Sequence, residues 1–154
     1  MSTHTAKVEW QRHDQPFLDG RYSRGFLIHF DGGISLQGSA TPAMVRPPLS
    51  REDAADPEEL LVAAVSSCHM LFFLDFARRA GLAVDRYIDA AEGLLGKDAE
   101  GQFAIVRITL RPDIAWQANL APSPEVLADL HQRAHEACFI ARSLRCPVEV
   151  AGVA

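Results

Sequence analysis

The chain has 154 residues, is 48% hydrophobic and carries a formal net charge of −5 at pH 7. That is long enough for one domain with a real core, spanning residues 1–154, and too apolar for a disordered chain. The acidic balance argues against nucleic-acid or anionic-membrane partners. The three cysteines, an odd number with no apolar signal-like run in Met1 to Trp10, suggest buried, reactive or metal-binding thiols in a reducing cytoplasm.

Ala6 to Trp10 alternates weakly and predicts a short strand. Gln11 to Gly20 is a turn, and Tyr22 to Phe30 alternates apolar with polar side chains. Asp31-Gly32-Gly33 is a hairpin signal before Ile34 to Gln37, so three antiparallel strands are expected. Gly38 to Ala55, with Pro42, Pro47 and Pro48, has no periodicity. It is long for a loop and suggests a functional segment or one lying on another subunit.

Asp56-Pro57-Glu58-Glu59 reads as a helix start, with Asp56 at the N-cap, Pro57 at N1 and Glu59 closing a capping box. Leu60 to Ala80 is then apolar on nearly every side, which predicts a buried helix ending near Gly81. Ser66, Ser67, His69, Asp75, Arg78 and Arg79 argue against membrane insertion. Cys68 sits in the polar break of this helix. A buried cysteine can pack simply as a small hydrophobe. A second cysteine, Cys138, lies on the other expected helix beside Phe139 and Ile140, and the two together fit a thiol pair that cycles through a disulfide.

Ala83 to Leu95 predicts one strand, Gly96 to Gly101 a turn, and Phe103 to Leu110, read as cleanly alternating through Phe103, Ile105, Ile108 and Leu110, a second hairpin partner. Ser123-Pro124-Glu125 opens a second helix, whose stripe Leu127, Leu130, Ala134, Ala137 and Ala141 recurs at three and four. Cys146 to Val153 closes the chain as a strand. The order βββ-α-ββ-α-β, with hairpins rather than crossovers, implies an α+β fold with helices on antiparallel sheets.

Asp56-Pro57-Glu58-Glu59, Ser66-Ser67-Cys68-His69-Met70 and Ala134-His135-Glu136-Ala137-Cys138-Phe139-Ile140-Ala141 together resemble the osmotically inducible protein C and organic hydroperoxide resistance (OsmC/Ohr) family, over essentially the whole chain. The resemblance implies antiparallel sheets around a long buried helix, an intertwined homodimer, and thiol-dependent reduction of organic hydroperoxides recycled by an external dithiol, with no cofactor. It also implies four roles: Cys68 as peroxidatic cysteine, Cys138 as resolving cysteine, Glu58, and an arginine of the second strand matching Arg24, with Arg21 as fallback. Phe139 departs from the proline that usually follows the resolving cysteine, which points to a less-studied branch.

A thiolate, not a thiol, attacks a peroxide oxygen. A guanidinium beside the sulfur supplies counter-charge, and a carboxylate can hold that guanidinium in a bidentate pair. Ten residues of continuous helix put about 15 Å of rise between Glu58 and Cys68. Either the helix is interrupted or the groups meeting at one Cys68 come from two chains. Two rivals remain at this level: a non-enzymatic relative holding an apolar ligand, and a metal site on the helical stripe His131, His135 and Cys138, completed by Cys68 and His69. Cys146 is expected to be structural.

Overall fold

The computed structural model describes residues 1–117 and 121–152. The chain divides into two compact units, residues 1–60 and 61–154.

In the first unit, β1 (Ala6–Glu9), β2 (Phe26–Phe30) and β3 (Ser35–Gly38) form an antiparallel sheet in that order. This is the expected meander, with Asp31 to Gly33 as its second turn. The second strand is shorter than the alternation suggests. Residues 22–25 are tied elsewhere: Trp10 Nε1 donates to the Ser23 carbonyl, Ser23 Oγ accepts from the Gly25 N–H, and the Arg24 N–H donates to the Leu49 carbonyl. With their bonds satisfied outside the ladder, they stay out of β2. The long segment after β3 returns to the sheet as an isolated bridge between Gly38 and Ala55.

Helix α1 (Pro57–Arg79) starts where the capping residues place it. Asp56 Oδ1 accepts from the Glu59 N–H at 2.8 Å, and Glu59 Oε2 accepts from the Asp56 N–H at 3.0 Å, a reciprocal capping box. It ends in a Schellman motif, with the Leu82 N–H on the Ala77 carbonyl and the Gly81 N–H on that of Arg78. Gly81 takes φ +73° there, which a side chain would resist.

The expectation of burial on every side does not hold within one chain. Among helix residues, only Val65, His69, Phe73 and Ala77 are buried, one stripe at four-residue spacing, while Leu71 is 64% exposed. By length and composition α1 could cross a membrane, but here its stripe is part of a globular core.

Around that stripe the second unit folds differently from the sequence reading. Ala83 to Leu95 is not one strand but two, β4 (Val84–Asp89) and β5 (Glu92–Lys97). β5 pairs antiparallel with β6 (Phe103–Leu110), as expected. β4 pairs with β7 (Pro112–Trp116), a strand the sequence reading does not contain. Pro112 opens β7, where the missing N–H is tolerated. β8 (Val148–Val150) is shorter than Cys146 to Val153, and Val153 lies outside the described residues. It runs parallel to β6, so the chain returns through a crossover and the sheets are not purely antiparallel.

The clean alternation expected over Phe103 to Leu110 does not hold, because β6 carries a bulge. Leu94 pairs with Arg107 and Leu95 with Ile105, leaving Val106 as an extra residue. The parity change lets Ile105 and Ile108 pack on one cluster with Leu110 and Val65. A second cluster gathers Phe73, Ala77 and Trp116 with Leu130 and Ala134 of α2 (Pro124–Ala137). The α1 stripe thus feeds two apolar clusters, and His69 lies between Val65 and Phe73.

β5 passes close to α1 at Gly93, where an added Cβ would stand 2.6 Å from Val62 Cγ2. Val62 is β-branched and stiff, so Gly93→Ala is expected to lower stability by about 1–3 kcal/mol, read as a shift in the urea midpoint with unchanged slope.

Candidate active site

The apolar run that builds α1 carries Cys68 half-exposed, one position before buried His69. The second helix does not continue through Cys138, contrary to expectation. α2 stops at Ala137, and a four-residue helix, α3 (Phe139–Arg142), begins at once. Cys138 is the last cap of one and the first cap of the other. Its backbone is extended, its N–H donates to the Ala134 and His135 carbonyls, and its Sγ accepts from the Ala141 N–H at 3.4 Å. A thiol used as an N-cap is aimed by its backbone rather than by a helix face, which turns Cys138 into the core, where it is fully buried.

Cys68 and Cys138, on separate elements, lie side by side, and both are free thiols. The Cys138 thiol is pushed up to about 11, by burial first, and then by the Cys68 side chain beside it, against the opposing Ala141 N–H. Cys138 therefore stays a protonated thiol at neutral pH. An open cleft of about 600 Å³ runs past Cys68, lined by Ala64, Leu71, Phe72, Phe139 and Ile140, with Ser67 and Asp75 as its polar members. Phe139, the departure from the family pattern, stands edge-on to Phe72 with centroids 5.1 Å apart and forms part of this apolar wall. Cys146 packs with the cluster around Ile108 and lines a different cleft, with Leu61, Lys97 and Arg145.

Arg24 and Glu58 belong to the first unit. Arg24 lies in the loop before β2 rather than on the strand, because its N–H is taken by the Leu49 carbonyl. Its guanidinium stacks 3.6 Å from the centroid of Tyr22 and donates to the carbonyls of Gly20 and Tyr22. Arg21 is engaged at the surface by Asp19 at 2.8 Å. Among the described residues no ion pair joins Arg24 to Glu58 within the chain. α1 runs without interruption from Pro57 through Cys68, so the first of the two explanations for the Glu58 to Cys68 separation is removed.

The structure also pairs two histidines that the sequence offers only as candidate metal ligands, not as partners of each other. His69 Nε2 lies 3.0 Å from His131 Nδ1, the rings nearly coplanar at 11°, with exposures of 1% and 2%. His131 also stacks on Phe73 at 4.4 Å. Both imidazoles are pushed down to about 4, mainly by burial; His131 and then His135 add to this at His69, whereas Asp89 opposes it at His131. The one available sequence signal is that His69 shares the four-residue stripe of Val65, Phe73 and Ala77. With His131 turned to His69 and Cys138 to Cys68, the stripe does not converge as a metal site. Among the described residues no three His, Cys, Asp or Glu side chains are grouped to hold an ion.

A family model described as OsmC-like protein matches residues 50–151. No curated protein matches the sequence. Among solved structures, the chain is similar to an OsmC-like protein of unknown function from Vibrio cholerae, with TM-score 0.94 and 42% identity over 97% of this chain and 98% of that one. It is also similar to an organic hydroperoxide resistance protein from Elizabethkingia anophelis, with TM-score 0.70 and 20% identity over 97% and 93% of the two chains. The organic hydroperoxide resistance protein OhrB of Bacillus subtilis gives TM-score 0.65 and 23% identity over 95% and 94%. The last two likenesses are of fold alone.

Proposed function

Because this chain belongs to the OsmC-like family, we propose that it is a cytoplasmic thiol-dependent peroxidase that reduces organic hydroperoxides with Cys68 and Cys138. The observation that carries this reading is the pair of free thiols, one open to an apolar cleft and the other sealed behind it. Burial sorts their roles. Cys138, held protonated, is a poor first nucleophile, whereas Cys68 faces the space a substrate would enter.

In the first step the Cys68 thiolate attacks the terminal peroxide oxygen. An S–O bond forms, the O–O bond breaks, and the alkoxide leaves as an alcohol after taking a proton. In the second, Cys138 sulfur attacks the sulfenic sulfur. The S–S bond forms, and the hydroxyl departs as water with the Cys138 thiol proton. An external dithiol then reduces the disulfide by exchange and is itself oxidised to a disulfide. The walls of Leu71, Phe72, Phe139 and Ile140 favour hydroperoxides with an alkyl or aryl body over hydrogen peroxide.

The working form proposed is a homodimer. Leu71 at 64% and Phe139 at 68% exposure leave the outer side of α1 and α3 apolar and uncovered in one chain, a surface of the kind that marks an interface. Since α1 is continuous, the Arg24 and Glu58 that serve one Cys68 are assigned to a site built by two chains. Co-refolding Cys68→Ser with Arg24→Ala tests this. Crossing sites return about a quarter of wild-type activity in a statistical mixture of symmetric dimers, and no return with heterodimers present refutes the crossing.

The test of the reaction itself is one equivalent of cumene hydroperoxide added to reduced protein. A Cys68–Cys138 disulfide in the peptide map is expected, with peroxide consumed catalytically once a dithiol is added. No consumption, with retained binding of an apolar fluorophore, would instead favour a non-enzymatic ligand carrier.

A further inference from the structure

We propose that His69 and His131 are positioning residues for disulfide closure, their shared hydrogen bond pinning the helix that carries Cys68 to the helix that delivers Cys138. The inference rests on the two-cysteine reading above and extends it to a pair of side chains outside the cleft.

His69 follows Cys68 on α1, and His131 stands seven residues, about two helical turns, before Cys138. Theirs is the one side-chain hydrogen bond, among the described residues, whose partners are both buried. Elsewhere α1 and α2 meet mainly through Phe73, Ala77, Leu130 and Ala134, with the Arg133 guanidinium over the Phe76 ring at the rim. Such apolar packing is non-directional and fixes register weakly, whereas a hydrogen bond weakens steeply with distance and angle. A disulfide needs its two Cα atoms within about 4.4–6.8 Å of each other, so a small slide of one helix along the other takes the thiols out of reach.

The shared proton has a preferred side. If His131 Nδ1 carried it, His69 would bear its own on Nδ1, an atom that is buried and has no partner. A buried N–H without an acceptor is costlier than an idle lone pair. His69 Nε2–H therefore donates to His131 Nδ1, and that tautomer follows from the network. An amide pair can imitate it: glutamine at 69 places an N–H near Nε2, and asparagine at 131 places an oxygen near Nδ1.

The test measures closure without peroxide, in glutathione redox buffers. Oxidised glutathione takes up the two electrons as Cys68 and Cys138 lose their protons and join, releasing two reduced glutathiones. Folded His69→Phe and His131→Phe are expected to lower the equilibrium constant for the Cys68–Cys138 disulfide at least about tenfold, and the His69→Gln/His131→Asn double variant to stay within about threefold of wild type. Phenylalanine variants that close as readily as wild type, or an amide pair that closes as poorly as phenylalanine, would overturn the positioning role and leave the two-cysteine reading standing. A wild-type chain that forms no disulfide at any glutathione ratio would overturn both. If the phenylalanine variants do not fold, the amide pair decides alone, a tenfold loss counting against the proposal.

Discussion

Cys68→Ser is expected to bring hydroperoxide consumption down to the uncatalysed background, a loss of at least about a thousandfold, because an alcohol at that position has neither the acidity nor the nucleophilicity of a thiol. Cys138→Ser should behave differently. One equivalent of peroxide is still consumed, since the first attack needs only Cys68, but the sulfenic acid then has no neighbour to condense with. Further peroxide carries it to the sulfinic acid, which mass spectrometry reads as two added oxygens on the Cys68 peptide. Cys146→Ser should retain activity within about twofold, as expected for a change outside the site, because that thiol packs on the Ile108 cluster beside a different cleft. Comparable turnover in wild type and Cys68→Ser would end the mechanism. Equal loss in Cys146→Ser would show that the wrong partner has been assigned.

Acid is expected to destabilise the fold well before its carboxylates are protonated. His69 and His131 each drop from 6.5 to about 4 on folding, so the folded chain keeps them neutral while the unfolded chain protonates them. The stabilising contribution is complete above the unfolded value of 6.5 and is lost as pH falls towards 4. Below 4 both states are protonated and the loss levels off. Two protons of difference give a slope of up to about 2.7 kcal/mol per pH unit, and roughly 4 kcal/mol between pH 7 and pH 5. The charges facing the pair act in opposite directions, Asp89 favouring the charged form of His131 and His135 disfavouring that of His69. The carboxylates of exposed Asp53 and half-buried Asp75, drawn below the ordinary range by hydrogen bonds from Arg51 and Arg78, add their own loss only at lower pH. Urea titrations at pH 7, 6 and 5 measure the effect. The His69→Gln/His131→Asn variant, with nothing to protonate, should lose most of the slope, and an unchanged slope in that variant would place the acid sensitivity elsewhere.

Much of this molecule is local and therefore legible in the chain. The start of α1 is written in Asp56, Pro57 and Glu59, and its end in Gly81, because capping satisfies backbone groups within a turn of the residue that supplies the cap. The first meander is equally local, its second turn marked by Asp31-Gly32-Gly33. Cys68 and Cys138 stand out as a pair through the polar break in one apolar helix and the resemblance of their flanking motifs. What lies beyond that depends on residues far apart in sequence. β7 is short and half-buried, with no periodicity of its own, and exists because β4 offers it a ladder. The parity change in β6 comes from a bulge against β5, and the parallel β8 from a crossover that no nearby residue announces. The break at Cys138 is invisible in a stripe that runs from Leu127 to Ala141. The cap turns the thiol inward, into a core that only the packed elements create. His69 and His131 are 62 positions apart, and single histidines on two helices carry no sign that they will share a proton. Local hydrogen bonding and periodicity determine elements, whereas the approach of one side chain to another is decided by how those elements pack, and the proposed chemistry of this protein lies in such approaches.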